Sequence, residues 1–226
     1  MDGYKKLLLL LICSLTCQFS AKGQSGNGVY YFRNMAVEDG LSQNMVYSII
    51  QDNSGFIWLG TIDGLNRFDG INFKIYKRDD SVDGSIGSNK ILSLLQVDND
   101  HIWVGTANGI YIHDLNLEKF TRFEEKTGEG EMVEGIIRDI KADREGNIWI
   151  AAQEKGVFLY TRDGKLKLCD IHDANARKID FDSKGNIWVA THGGGILRIH
   201  PQTGAISRFL LDSETKNRSD NDVNII

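Results

Sequence analysis

The sequence contains one proline, three cysteines and no run of five or more basic residues. With a single proline, the chain cannot build its turns on proline-fixed backbone and must use other turn formers. Cys13 and Cys17 lie in the N-terminal segment, so a chain cleaved there keeps only Cys169. One cysteine makes neither an intramolecular disulfide nor a cysteine zinc site, and stability has to come from a packed core. A formal net charge of −5 without a basic cluster argues against nucleic-acid binding. The five histidines, His101, His113, His172, His192 and His200, form no i,i+4 pair and no His-x-Glu pattern. No metal site and no cofactor is therefore expected.

The N-terminus reads as a targeting segment. Lys5 and Lys6 form a short positive region, Leu7 to Leu15 form an uncharged apolar run, and Ala21-Lys22-Gly23 offers small residues to a signal peptidase. Residues 1–23 are expected to be a signal peptide removed before Gln24. The apolar run is short for a membrane span. An uncleaved anchor is one alternative; lipidation at Cys17 is another, weakened by Thr16 just before it.

What the sequence does have is 24 glycines and four tryptophans, Trp58, Trp103, Trp149 and Trp188, spaced at 45, 46 and 39 residues. Each sits in the same phrase: Asp52-Asn-Ser-Gly55-Phe-Ile-Trp58, Asp143-Arg-Glu-Gly146-Asn-Ile-Trp149 and Asp182-Ser-Lys-Gly185-Asn-Ile-Trp188. The second copy, Asp98-Asn-Asp-His-Ile-Trp103, is one residue shorter and lacks the glycine. Asp at the first position and Gly at the last suit a tight turn. An apolar stretch precedes each turn; after each tryptophan come small residues, a glycine turn (Gly64, Gly109, Gly156, Gly195) and two further strand-like stretches. The last alternates apolar and polar residues, as in Phe73-Lys-Ile-Tyr76 and Ile206-Ser-Arg-Phe209.

Four short strands repeating every 40–50 residues predict an all-β fold, a β-propeller. Four four-stranded blades are expected at about 44–78, 89–125, 134–170 and 175–212, with the first strand of a fifth at 219–226 and an outer closing strand at 29–33. The whole of 24–226 is then an incomplete ring. Trp58, Trp103, Trp149 and Trp188 are read as packing between blades, and Asp52, Gly55, Asp143, Gly146, Asp182 and Gly185 as turn formers.

The phrase Asp-x-x-Gly-x-Ile-Trp-x-Gly-Thr-x-x-Gly-Leu, introduced by Gly40-Leu-Ser-Gln-Asn-Met-Val46, resembles the two-component regulator propeller repeat. The resemblance covers nearly all of 29–226. It implies the periplasmic sensor end of a Bacteroides-type hybrid two-component protein, with its membrane span, histidine kinase and DNA-binding parts elsewhere in the intact protein. The partners it implies are the remainder of that sensor kinase and an oligosaccharide ligand, and the intact protein would sit in the inner membrane. No kinase motif occurs in this sequence, so no catalytic residue is carried over and this chain is not read as an enzyme.

Alternating strand directions bring the second-to-third-strand turns and the links between blades to one face. The turns would contribute Asp63, Asn108, Glu154 and His192, and the links Asn44, Asn89, Arg177 and Asn221. Amides and carboxylates of this kind can bond sugar hydroxyls. Two other classes of function remain open: a secreted propeller enzyme acting on polysaccharide as a lyase or glycosidase, and a scaffold that binds proteins by its rim.

Overall fold

The computed structural model describes residues 32–171, 175–210 and 223. Among them the chain is all-β, apart from one 3-10 turn at Val37–Asp39. Blade one holds β1 (Val46–Gln51), β2 (Ile57–Thr61), β3 (Gly64–Phe68) and β4 (Phe73–Tyr76); blade two holds β5 (Ile91–Gln96), β6 (His101–Thr106), β7 (Gly109–Asp114) and β8 (Lys119–Arg122). Blade three holds β9 (Ile137–Ala142), β10 (Ile148–Ala152), β11 (Gly156–Tyr160) and β12 (Leu166–Cys169); blade four holds β13 (Asn175–Phe181), β14 (Ile187–His192), β15 (Ile196–Ile199) and β16 (Ile206–Phe209). Each blade is a four-stranded antiparallel meander in sequence order, as expected of a propeller.

The first strands pack on one another, β1 on β5, β5 on β9 and β9 on β13. They are the inner strands, and the fourth strands lie outermost. The apolar cores lie between blades. Trp58, Leu65, Ile91, Ile102 and Phe120 fill the gap between blades one and two. Trp103, Ile110, Ile137, Ile150 and Phe158 fill the next, and Trp149, Val157, Ile179, Val189 and Leu197 the third. Trp58, Trp103 and Trp149 thus each pack forward onto the following blade. Trp58, Trp103 and Trp149 are buried, whereas Trp188 of blade four is half-buried and stacks on Phe209 of its own sheet. The small residue after the tryptophan is required by this packing: a Cβ on Gly60 would lie 2.8 Å from the Cγ2 of Ile91 in the next blade.

The Asp-x-x-Gly turns carry a bond that joins turn to core. The Oδ1 of Asp52 accepts the backbone N–H groups of Ser54 and Phe56, and its Oδ2 accepts the indole N–H of Trp58 at 2.7 Å. Asp143 and Asp182 do the same for Trp149 at 3.0 Å and Trp188 at 3.1 Å. Gly55, Gly146 and Gly185 close these turns at positive φ (91°, 84° and 82°), where a side chain would strain the backbone. Blade two turns without glycine: Asp98 accepts only the backbone N–H groups of Asp100 and His101 and the ring of His101, and Trp103 lies instead against Phe123 and Tyr160.

Two expectations about strands are corrected. Blade four begins at Asn175, so Arg177 lies within β13 and not in a link. His192 is the last residue of β14 and not part of the turn that follows. Of the outer strand expected at 29–33, only Phe32 and Arg33 are described, and neither is in a strand. The signal peptide at 1–23 lies outside the described residues, as does the start of a fifth blade at 219–226 except Val223, whose N–H donates to the carbonyl of Thr191 at 2.9 Å. No helix among the described residues is long and apolar enough to cross a membrane.

Candidate functional site

Every inner strand is interrupted at the same place. In β1, Val46 pairs with Thr61 and Ser48 with Gly60, which leaves Tyr47 as an extra residue. Leu92 is extra between Ile91 and Ser93 in β5. Arg138 is extra between Ile137 and Asp139 in β9, and Arg177 between Ala176 and Lys178 in β13. A β-bulge bends its strand and re-aims the extra side chain. Here the four bulge residues, Tyr47, Leu92, Arg138 and Arg177, line a single cleft with Lys178, with a volume of about 130 Å³.

The cleft is cationic. Arg138 donates from Nε to the Oε1 of Gln153 at 2.7 Å. Burial and the charge of Arg177 pull the Arg138 pKa below its ordinary value, and Tyr47 pushes it the other way. Arg177 lies against the ring of His192, with Nη2 3.1 Å from Nδ1. Asp139, which follows Arg138, is bonded to the next blade: its Oδ2 accepts the N–H of Ile179, and its Oδ1 lies 3.6 Å from the Nζ of Lys178, a residue of the cleft lining. That carboxylate therefore stitches blade three to blade four.

The other residues proposed from sequence fall outside the cleft lining. Asn44 and Asn89 use their amide oxygens within the links, accepting the N–H groups of Val37 at 2.9 Å and Arg78 at 2.6 Å. Asp63 is paired with Lys77 at 2.6 Å. Asn108 donates its N–H to Thr106 in the turn, and Glu154 donates its own to Asn175 from a left-handed backbone, φ 64°. Asn221 and His172 lie outside the described residues. Arg177 is the one residue of the expected ring that lines the cleft; Tyr47, Leu92, Arg138 and Lys178 were not anticipated. A signal for the bulge residues was available. Residues 47, 92, 138 and 177 each stand eleven places before the tryptophan of their blade.

Among the described residues, no three His, Cys, Asp or Glu side chains are grouped so as to hold a metal ion.

Comparison with known proteins gives a consistent family signal. The family model of the two-component regulator propeller matches residues 40–63 and 85–108, the entry into blades one and two. A 58-residue stretch is 50% identical to a histidine kinase of Formosa agariphila, covering 26% of this chain and 4% of that protein. In fold, the chain is similar to the extracellular domain of a hybrid two-component system of B. thetaiotaomicron, with a TM-score of 0.70 and 21% identity over 79% of this chain and 26% of that one. The extracellular domain of a one-component system of the same organism gives 0.68 and 21%, over 84% and 28%. Virginiamycin B lyase of Staphylococcus aureus gives 0.56 and 16%, over 75% and 56%. The chain thus spans about a quarter of the two extracellular domains and a small part of the kinase.

Proposed function

We propose that this chain, which carries two-component regulator propeller repeats, is a ligand-detecting part of a two-component sensor, displayed outside the cytoplasm. Its ligand is a carbohydrate fragment, bound where the inner strands open into the cleft. The signal passes to a histidine kinase in the remainder of the protein, anchored in the inner membrane.

The observation that carries this reading is the contrast between the two kinds of repeated position. At the Asp-x-x-Gly turns, blades one, three and four repeat the same residues with the same bonds. At the bulge, every blade has the same backbone irregularity but the side chain changes, from Tyr47 to Leu92 to Arg138 and Arg177. Architecture is served by repetition. A binding site for one asymmetric ligand needs different groups on each side, supplied by a scaffold that holds them rigidly. Tyr, Arg and Lys offer both a ring face and hydroxyl-directed donors, the chemistry a sugar takes.

Extending the reading frame beyond residue 226 tests the sensor assignment. Further blades, one membrane span and a kinase are expected. A stop codon soon after a single propeller would leave a secreted protein with no route to a kinase, and the assignment would fall.

A further inference from the structure

We infer that Gln153 and His192 are positioning residues of the inner-strand cleft, each holding the arginine that the bulge of its own blade brings there. This rests on the reading of the cleft as the ligand site. It adds the residues that fix the side chains the ligand meets.

The repeat itself places them. Residues 62, 107, 153 and 192 each stand four places after the tryptophan of their blade. In every blade the bulge falls opposite the same two residues of the second strand: Gly60 and Thr61, Gly105 and Thr106, Ala151 and Ala152, Ala190 and Thr191. The fourth residue past the tryptophan follows directly, and backbone bonds hold it. Ala107 donates its N–H to the carbonyl of Lys90 at 3.1 Å, and Gln153 to that of Ile136 at 2.8 Å, equivalent bonds in blades two and three. His192 is paired with Asn175 in the ladder of blade four.

At this position the side chain matches the bulge of its blade in chemistry. Blades one and two, with Tyr47 and Leu92 at the bulge, carry Ile62 and Ala107, whose side chains have no polar atom. Blades three and four, with arginines at the bulge, carry Gln153 and His192, and both offer an acceptor. The Oε1 of Gln153 accepts the Nε–H of Arg138 at 2.7 Å, and the Nδ1 of His192 lies 3.1 Å from the Nη2 of Arg177. A guanidinium has donors only, so the second bond needs a neutral ring with its proton on Nε2. The Nε2 of Gln153 lies 3.4 Å from the Oε1 of Glu154, the orientation that leaves Oε1 for the arginine. An incidental surface contact gives no reason for an acceptor to recur at one place in two blades and to be absent where the bulge is not an arginine. Arginine gains from such a partner. Its long stem loses rotamer freedom on binding, and a bond already made in the free protein lowers that cost.

The test uses the full chain, by NMR and by binding to an array of acidic and neutral oligosaccharides. Without any sugar, the Nε–H signal of Arg138 should be resolved and slow to exchange with solvent in wild type. It should be lost in Gln153→Leu and return in Gln153→Glu, which keeps an acceptor. With the oligosaccharide of the array that wild type binds most tightly, Gln153→Leu should weaken binding by about three- to tenfold, with the melting temperature little changed. Added to Arg138→Leu, it should cost nothing further, because its effect runs through the arginine. The cycle of His192→Phe with Arg177→Leu should behave alike. A Gln153→Leu loss of equal size in both backgrounds, or an Arg138 signal that Gln153→Leu leaves unchanged, overturns the role of Gln153. Additive losses in the second cycle overturn that of His192. Each of these results leaves the cleft reading standing. If wild type binds no oligosaccharide of the array, the cleft reading fails and the inference falls with it.

Discussion

Acid should open the interface between blades one and two, through His113. This ring is buried between the blades, 5.3 Å from Trp58, 5.1 Å from Tyr76 and 4.3 Å from Phe120, measured between ring centroids. Its Nδ1 lies 3.3 Å from the carbonyl of Lys119, and its Nε2 has no partner. Burial lowers its pKa from 6.5 to about 4, against the smaller upward pull of the Lys119 carbonyl, Glu118 and Asp114, and with a further downward push from Arg67. In the unfolded chain the imidazole gains its proton near pH 6.5; in the folded chain it resists until about pH 4. Stability from the neutral ring is therefore complete above pH 6.5 and drains away as the pH falls toward 4. The gap of about 2.5 pKa units corresponds to a loss of about 3 kcal/mol. That is a large share of an ordinary domain's stability. His113→Phe keeps a flat ring and removes the titration. Urea unfolding followed by tryptophan fluorescence at pH 7 and pH 4.5 should show the wild type losing about 2–3 kcal/mol more than the variant. Equal losses in the two proteins would refute the argument.

Trp149→Ala should destabilise the chain by about 3–5 kcal/mol in urea unfolding, and Trp188→Ala by clearly less, because only the first ring is enclosed by a following blade. Equal costs would mean that packing between blades is not what the tryptophans supply. Asp182 is held down to about pKa 2, chiefly by the side chain of Asn186, with Trp188 and the turn N–H groups adding to it against the cost of burial. Its contribution is thus present above pH 3.8 and is lost only as the pH falls through 2. A carboxyl titration by NMR should find it still ionised at pH 3, and a midpoint near 4 would contradict the turn geometry.

Much of this architecture can be read from the tryptophans. Their spacing and the Asp-x-x-Gly phrase set the blade count, because one large ring per blade is what the gap between twisted sheets needs. The boundaries of β1 follow from the apolar stretch that ends at the Asp turn, and those of β16 from the alternation of apolar and polar residues. The ligand face was less legible. Asn44 and Asn89 are attractive as exposed amides, yet each spends its oxygen on a backbone N–H of its own link, the ordinary work of asparagine in turns. Arg177 read as a link residue because the stretch before it looks polar, while pairing of Asn175 with His192 carries the strand two residues further out. The bulges are events of register between two strands, which period-two patterning within one strand does not report, so only the constant eleven-residue spacing to each tryptophan marks their positions in the sequence. Nor did the sequence reveal that Asp52, Asp143 and Asp182 bind the indole N–H. The six-residue spacing was on view, but only the hairpin brings the two side chains together.

The central claim is that ligand engages the inner-strand cleft and not the Asp-x-x-Gly face. The most direct measurement is binding of the full chain to an array of acidic and neutral oligosaccharides, made with three proteins: wild type, a Tyr47→Ala/Arg177→Gln cleft variant, and an Arg144→Ala/Lys184→Ala variant on the opposite face. Wild type and the opposite-face variant should bind the same glycans equally, and the cleft variant should lose about tenfold or more in affinity with its melting temperature little changed. Binding lost only in the Arg144/Lys184 variant, or no glycan bound by any of the three, would contradict it.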